Sequence, residues 1–175
     1  MKIIFASDIH GSATYCRQLL NAYKNEGATL LALLGDILYH GPRNPLPDGY
    51  NPAEVAKMLG EIRGDILCVR GNCDSEVDQM VLPFNVSSDY AVIFADGLKI
   101  HLSHGHREVP NLCANDVYIT GHTHVPLNAG NGYIHLNPGS VSLPKEDSRR
   151  GYIVYENRTF TFKTLDGKAY DKRSV

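Results

Sequence analysis

Residues 2–12, KIIFASDIHGS, set an apolar run of strand length directly against a polar turn carrying Asp8 and His10. Ser12 then stands as a helix cap. Behind it Tyr15, Cys16, Leu19, Leu20 and Tyr23 recur at helical spacing, with Gly27 placed to stop the helix. The same plan repeats along the first half. Thr29 to Leu34 (TLLALL) is continuously apolar, as in a strand buried on both faces of a parallel sheet. Asn51 and Pro52 supply a cap and a first helical position ahead of Val55, Ala56, Leu59 and Ile62. Ile66 to Arg70 (ILCVR) closes the series as a third strand, giving β-α-β-α-β with right-handed crossovers.

The second half is dominated by strands. Tyr90 to Ala95 and Leu98 to Ser103 flank Asp96-Gly97, a strong hairpin signal. Val117 to Thr120 and Tyr133 to Leu136 are shorter apolar runs. Tyr152 to Tyr155 pairs with Thr159 to Leu165 across Glu156-Asn157-Arg158. So many strands in one chain predict an α/β protein built as two packed sheets with helices outside. Residues 1–165 are expected to form a single domain, and 166–175 a polar, irregular C-terminal tail. The stretch Tyr39 to Asn51, rich in Pro and Gly, is long enough for a functional loop.

Composition bounds the function classes. A chain of 175 residues, 43% hydrophobic and 21% charged, has the make-up of a globular protein with an ordinary core. A net charge of −2 is too balanced for an electrostatic binder of nucleic acid or membrane. The opening residues lack the apolar run of a signal peptide, and no stretch reads as a membrane span. Cys16, Cys68, Cys73 and Cys113 form no CxxC pair and no disulfide framework, so a reduced cytoplasmic setting is expected.

The chemistry lies in a recurrence. Apolar strands end, one after another, in metal-ligating residue types: Asp8-Ile-His10-Gly, Gly-Asp36, Gly-Asn72-Cys73-Asp74, His104-Gly-His106 and Gly-His122-Thr-His124. Sites in open α/β sheets form just beyond the carboxyl ends of strands, where loops converge. Each motif alone has an ordinary explanation, since an Asp after a strand usually makes a turn or a cap. His40, His101 and His135 are read as surface or core histidines. All five motifs in order, each after a strand, go beyond what packing requires. Two carboxylates, an amide oxygen and several imidazoles are too many ligands for one ion.

The motifs DIH, GD, GNCD, SHGH and GHTH, in this order, resemble the signature of the calcineurin-like metallophosphoesterase superfamily. GDILYHGPRNPLPDGY, RGNCDSEVDQM and LNPGSVSLPK extend the similarity to the small bacterial YfcE-type phosphodiesterases over nearly the whole chain. The resemblance implies a two-sheet β-sandwich flanked by helices, a four-layer αββα arrangement, with a binuclear metal centre at the sheet ends. Carried over position by position, it gives Asp8, His10 and His124 to one metal, Asn72, His104 and His122 to the other, and Asp36 to both. Imidazole with carboxylate and amide oxygen fits Mn²⁺, Fe²⁺, Co²⁺ or Zn²⁺ better than Mg²⁺ or Ca²⁺; Mn²⁺ is the ion expected, with Fe²⁺, Co²⁺, Zn²⁺ or Ni²⁺ as alternatives. Metals about 3.5–4 Å apart share and activate a hydroxide for in-line attack on a phosphoryl group.

One departure concerns the general acid. Where the superfamily usually carries a histidine after the asparagine, this chain has Cys73, followed by Asp74. A thiol is the weaker donor, so Cys73, Asp74 and His106 are the candidates for the catalytic acid, and diesters with good leaving groups are the expected substrates. Arg43, in the loop after Asp36, is a candidate phosphate contact. The implied activity is metal-dependent phosphodiester hydrolysis of a small substrate. A phosphomonoesterase on the same site is one alternative. A non-catalytic Vps29-like protein-binding scaffold is the other, disfavoured because all seven ligand positions hold Asp, Asn or His. A homo-oligomer is left open.

Overall fold

The computed structural model describes the backbone of residues 1–175 and every side chain apart from that of residue 131. β1 (Ile3–Ala6), β2 (Leu30–Leu33) and β3 (Ile66–Cys68) run parallel. They are joined through α1 (Ala13–Glu26) and α2 (Pro52–Gly60). Ser12 starts α1 by accepting from the Tyr15 N–H, and Gly27 ends it in the left-handed region at φ 63°. Asn51 caps α2 by accepting from the Glu54 N–H, with Pro52 in the first turn. A short helix, α3 (Glu76–Val81), follows β3.

Beyond it come β4 (Tyr90–Ala95), β5 (Leu98–Ser103), β6 (Val117–Ile119), β7 (Pro126–Asn131) and β8 (Tyr133–Pro138). The chain closes with β9 (Gly151–Glu156), β10 (Thr159–Thr164) and β11 (Ala169–Ser174). Two mixed sheets result, ordered β11-β10-β9-β1-β2-β3 and β4-β5-β6-β8-β7. Asp96 and Gly97 turn the β4–β5 hairpin with φ of 49° and 77°, the two positive values that match the twist of the strands.

The sheets pack face to face. Ile3, Phe5, Ala32 and Leu34 from the six-stranded sheet meet Ile100, Leu102, Val117, Ile119 and Leu136 from the other. On the far side of the six-stranded sheet, Cys16, Leu19 and Tyr23 of α1 and Val55 and Leu59 of α2 cover Ile4, Leu31 and Leu33. The outer face of the five-stranded sheet is covered in part by the segment after β5. There the Tyr90 hydroxyl donates to the Glu108 carbonyl (2.7 Å), and His101 Nε2 lies 3.2 Å from the Asp116 carboxylate. No helix among the described residues is long and apolar enough to cross a membrane.

Residues 166–175 differ from the irregular polar tail expected of them. Asp166 and Gly167 turn the chain, and β11 pairs antiparallel with β10. Its polar residues face solvent, as an edge strand allows, while Tyr170 packs against Phe162 with ring centroids 6.1 Å apart. β7 (PLNAGN) was also not legible from strand propensity. It is held by pairing with β8 from Pro126↔Pro138 to Asn131↔Tyr133.

Candidate metal centre

The loops that leave β1, β2, β3, β5 and β6 converge and interlock. Asp8 N–H donates to the Gly35 carbonyl (3.1 Å), His10 N–H to the Asp36 carbonyl (2.9 Å) and Gly121 N–H to the His104 carbonyl (3.0 Å). The loops lie so close that a Cβ at Gly71 would collide with the Asp36 carboxylate, and one at Gly121 with the Ser7 hydroxyl. Five of the seven candidate ligands occupy the left-handed backbone region: Asp8 (φ 58°), His10 (48°), Asp36 (56°), His122 (68°) and His124 (63°). Such residues cost about 1–3 kcal/mol each and persist where surrounding structure forces them.

Part of that force is the stretch after β8. Ser140 and Ser142 hydroxyls both donate to the Asp8 carbonyl, at 2.8 and 3.1 Å. Asn137 Nδ2 donates to the Gly121 carbonyl at 2.7 Å. LNPGSVS therefore supports the ligand loops.

Three histidines are fixed in one tautomer. His10 Nδ1 lies 2.7 Å from the Tyr39 carbonyl, His104 Nδ1 2.6 Å from the Leu34 carbonyl and His124 Nδ1 2.6 Å from the Leu143 carbonyl. A carbonyl only accepts, so each Nδ1 carries its proton and each Nε2 is left to face inward. His10 and His124 Nε2 are 3.2 Å apart. Asp8 Oδ1 sits 3.5 and 3.2 Å from these two nitrogens, yet it is buried and makes no well-formed hydrogen bond. Asp36 Oδ2 lies 3.6 Å from His10 Nε2 and 3.4 Å from His104 Nε2, and His104 Nε2 lies 3.0 Å from Asn72 Oδ1. The ligating atoms of Asp8, His10 and His124, and those of Asp8, Asp36 and His104, fall within 4.8 Å of one another. Inward-facing nitrogen lone pairs beside two buried carboxylates are a donor set that a divalent cation completes.

The electrostatics point the same way. Burial opposes charge on Asp8, but His10, His124 and His104 overcome it and hold the carboxyl well below the usual range. Burial likewise works against His104, and Asp36 and Asp8 override it, raising the imidazole to about 9. Without a metal, the site draws protons to the places where cations belong.

The remaining sequence candidates are placed as follows. His122 lines the mouth of the site, its ring centroid 5.1 Å from that of His104. His106 packs edge-on against His104 at 5.3 Å. Its Nδ1 is buried without a partner, and burial together with His104 lowers its pKa. Cys73 stands at the cleft, its amide N–H donating to Asp36 Oδ1 at 2.8 Å. Burial and the Asp36 carboxylate push its thiol up to about 12. Asp74 is committed elsewhere: its carboxylate accepts from the amides of Asp36 (2.8 Å), Ile37 (2.8 Å) and Gly71 (2.7 Å). It is a clamp behind Asp36. Asp74→Ala would strand three buried donors, and a loss of about 2–4 kcal/mol in chemical denaturation is expected. Asp74→Asn, which keeps one acceptor oxygen, should lose less.

A cleft of about 460 Å³ opens over the site, lined by Asp36, Asn72, Cys73, His122 and His124 on its floor, with Arg43, Asn44 and Lys145 around it. Sequence reasoning singled out Arg43 but missed Lys145 and Asn44. Both lie in quoted stretches, Asn44 in GDILYHGPRNPLPDGY and Lys145 at the end of LNPGSVSLPK, but neither is in a ligand motif, and only the folding of the two loops to one cleft reveals them.

The family model for the calcineurin-like phosphoesterase superfamily domain matches residues 1–159. The chain is 43% identical over 174 residues to the phosphodiesterase YfcE of Escherichia coli (strain K12), covering 97% of this chain and 95% of that protein. The solved structure of E. coli Yfce, described as a phosphoesterase, superposes with a TM-score of 0.96 at 40% identity, over the full length of both chains. A Vps29 from Entamoeba histolytica, solved with zinc, shares the fold at a TM-score of 0.67 and 20% identity, covering 99% of this chain and 98% of its own.

Proposed function

The chain belongs to the calcineurin-like phosphoesterase superfamily, and from that premise we propose that it is a metal-dependent phosphodiesterase. The observation that carries the reading is the convergence of three tautomer-locked imidazoles on the buried Asp8 and Asp36 carboxylates. Asp8, His10 and His124 would hold one divalent ion, Asn72, His104 and His122 a second, and Asp36 would reach both. The mixed nitrogen and oxygen donors favour Mn²⁺ over Mg²⁺ or Ca²⁺. When bound, such ions supply positive charge to the phosphoryl oxygens and lower the pKa of an attacking water.

The protein groups divide the remaining work. The Nδ1 bonds of His10, His104 and His124 keep their rings oriented. The Asp74 clamp positions the Asp36 backbone, and the Cys73 amide holds the Asp36 carboxylate. Arg43, with its forked donors, is assigned to the non-bridging phosphate oxygens. Hydrolysis breaks one phosphorus–oxygen ester bond, transfers water's oxygen to phosphorus and returns a proton to the leaving alcohol. The products are a phosphomonoester and an alcohol. That last proton is where this chain is weakest, because the Cys73 thiol stays protonated to about 12 but donates poorly. Diesters whose leaving groups need no protonation are therefore the substrates of choice. Cys73→His is expected to raise turnover of an alkyl diester while changing that of an aryl diester little. Equal effects on both would remove the argument.

Residues 1–165 together with β11 are read as one catalytic unit. The four free cysteines, of which Cys113 is exposed, and the near-neutral charge support a cytoplasmic enzyme acting on a small substrate rather than on nucleic acid. The test is hydrolysis of bis-p-nitrophenyl phosphate and p-nitrophenyl phosphate by chelated and then Mn²⁺-reloaded protein. Metal-dependent turnover favouring the diester is expected. Preference for the monoester would replace the reaction on the same site, and no turnover with any divalent ion would leave the scaffold reading.

A further inference from the structure

Two cations line the cleft over the metal centre with no carboxylate of their own. Arg43 and Lys145 both belong to its lining, in which Asp36 is the only acidic residue. Lys2, Arg17, Arg70, Arg107 and Lys163 have carboxylate partners at 2.6–3.4 Å. Arg43 and Lys145 have none among the described residues. Glu146 and Asp147, which follow Lys145, do not line the cleft. In a chain whose net charge is −2, two unpaired cations in one concave site set a local field that favours anions.

Both cations are placed by the same device. The Tyr39 carbonyl that holds His10 Nδ1 lies at the start of the loop that carries Arg43. That loop is closed by Asn44, whose Nδ2 donates to the His40 carbonyl at 2.9 Å. The Leu143 carbonyl that holds His124 Nδ1 lies two residues before Lys145. Lys145 N–H then donates to the His124 carbonyl (3.3 Å), and its own carbonyl accepts from Ser148 N–H (3.0 Å). His10 and His124 Nε2 are 3.2 Å apart, so the two loops are pinned to adjacent imidazoles and each brings its cation to the same cleft.

The charge balance says what the second cation is for, and it rests on the phosphodiesterase reading. Two divalent ions, the Asp8 and Asp36 carboxylates, an attacking hydroxide and the single charge of a diester cancel one another. Arg43 and Lys145 are then in surplus. A terminal phosphate, carrying about −1.5 to −2 at neutral pH, matches the pair, whereas an uncharged substituent leaves both unmatched. A cleft of about 460 Å³ suits a small molecule. We propose that Lys145 selects small phosphodiesters bearing a second, terminal phosphate: Arg43 serves the phosphoryl group that reacts, and Lys145, as a compact point charge, holds the one that does not.

The test compares two probe pairs on the Mn²⁺-loaded protein. Calorimetry sets thymidine 3′,5′-bisphosphate against thymidine 5′-phosphate, and kinetics set thymidine 5′-(p-nitrophenyl phosphate) with a 3′-phosphate against the same diester without one. The extra phosphate should tighten binding about tenfold and raise kcat/KM about tenfold, through KM rather than kcat, as a hydrogen bond between charged groups does. Lys145→Ala should bring both ratios to within about twofold of one, and Lys145→Arg should keep them. Equal affinities for the two nucleotides, equal kcat/KM for the two diesters, or a preference that survives Lys145→Ala would overturn the inference. No turnover of either diester, with the binding preference intact and lost in Lys145→Ala, would end the phosphodiesterase reading and leave the second phosphate site standing.

Discussion

Asp36→Asn is expected to abolish turnover with little change in the fold. The Asp36 carboxylate is the one group shared by both halves of the proposed centre: Oδ2 lies 3.6 Å from His10 Nε2 and 3.4 Å from His104 Nε2, and Oδ1 accepts the Cys73 amide. Asparagine keeps the shape and one accepting oxygen, so the Cys73 bond survives. It replaces the other oxygen with an NH₂ that has no lone pair to offer a metal. Changes to groups that merely orient ligands cost 10–100-fold in metal affinity by general experience. Loss of a shared ligand should exceed that, giving more than about 100-fold weaker metal binding. Turnover should fall by more than about 1000-fold, about 4 kcal/mol of barrier. The checks are diester hydrolysis at saturating Mn²⁺ and thermal unfolding of the metal-free protein. A variant keeping a tenth of the activity would remove Asp36 from the shared position.

Chelation is the second large effect, and it carries a pH signature. Removing the ions should reduce turnover to background, and adding them back at about 1000 times the dissociation constant should return about 4 kcal/mol of stability. In the metal-free protein His104 is raised from 6.5 to about 9 by Asp36 and Asp8, against the opposing effect of burial. Its protonated form therefore stabilises the metal-free fold fully below about pH 6.5, and that contribution fades as pH rises through about 9. A metal ion needs the same nitrogen unprotonated, so loading at neutral pH must expel the proton. Apparent metal affinity is expected to climb with pH until about 9 and then flatten. Calorimetry in buffers of differing ionisation enthalpy should count the released proton. Affinity independent of pH between 6 and 9, with no proton released, would contradict the His104 assignment.

Much of this was legible in the sequence because the informative residues sit at strand ends. Gly27 closes α1 and Asp96-Gly97 turns the β4–β5 hairpin where local chemistry demands, and the spaced apolar runs give both the strands and the helical faces. The clustering of Asp8, Asp36, His10, His104 and His124 follows from strand order within each sheet, which groups the loops, and from the face-to-face packing that sets the ends of β1 and β2 beside those of β5 and β6.

What the sequence hid depends on contacts between distant segments. β7 contains Pro, Asn and Gly, and only its pairing with β8 makes it a strand. β11 reads as a polar tail because an edge strand exposed on one side has little apolar signature. Asp74 looked like a catalytic acid beside Cys73. That its carboxylate turns away to three amides of the β2 and β3 loops is a fact of tertiary packing. Ser140 and Ser142 are ordinary small polar residues until both hydroxyls are seen to hold the strained Asp8 backbone.

The most direct test titrates chelated protein with Mn²⁺ while bound metal and bis-p-nitrophenyl phosphate turnover are followed together. Two ions should bind per chain, with turnover appearing as the second site fills. Full activity with a single ion bound, or activity in the metal-free protein, would contradict it.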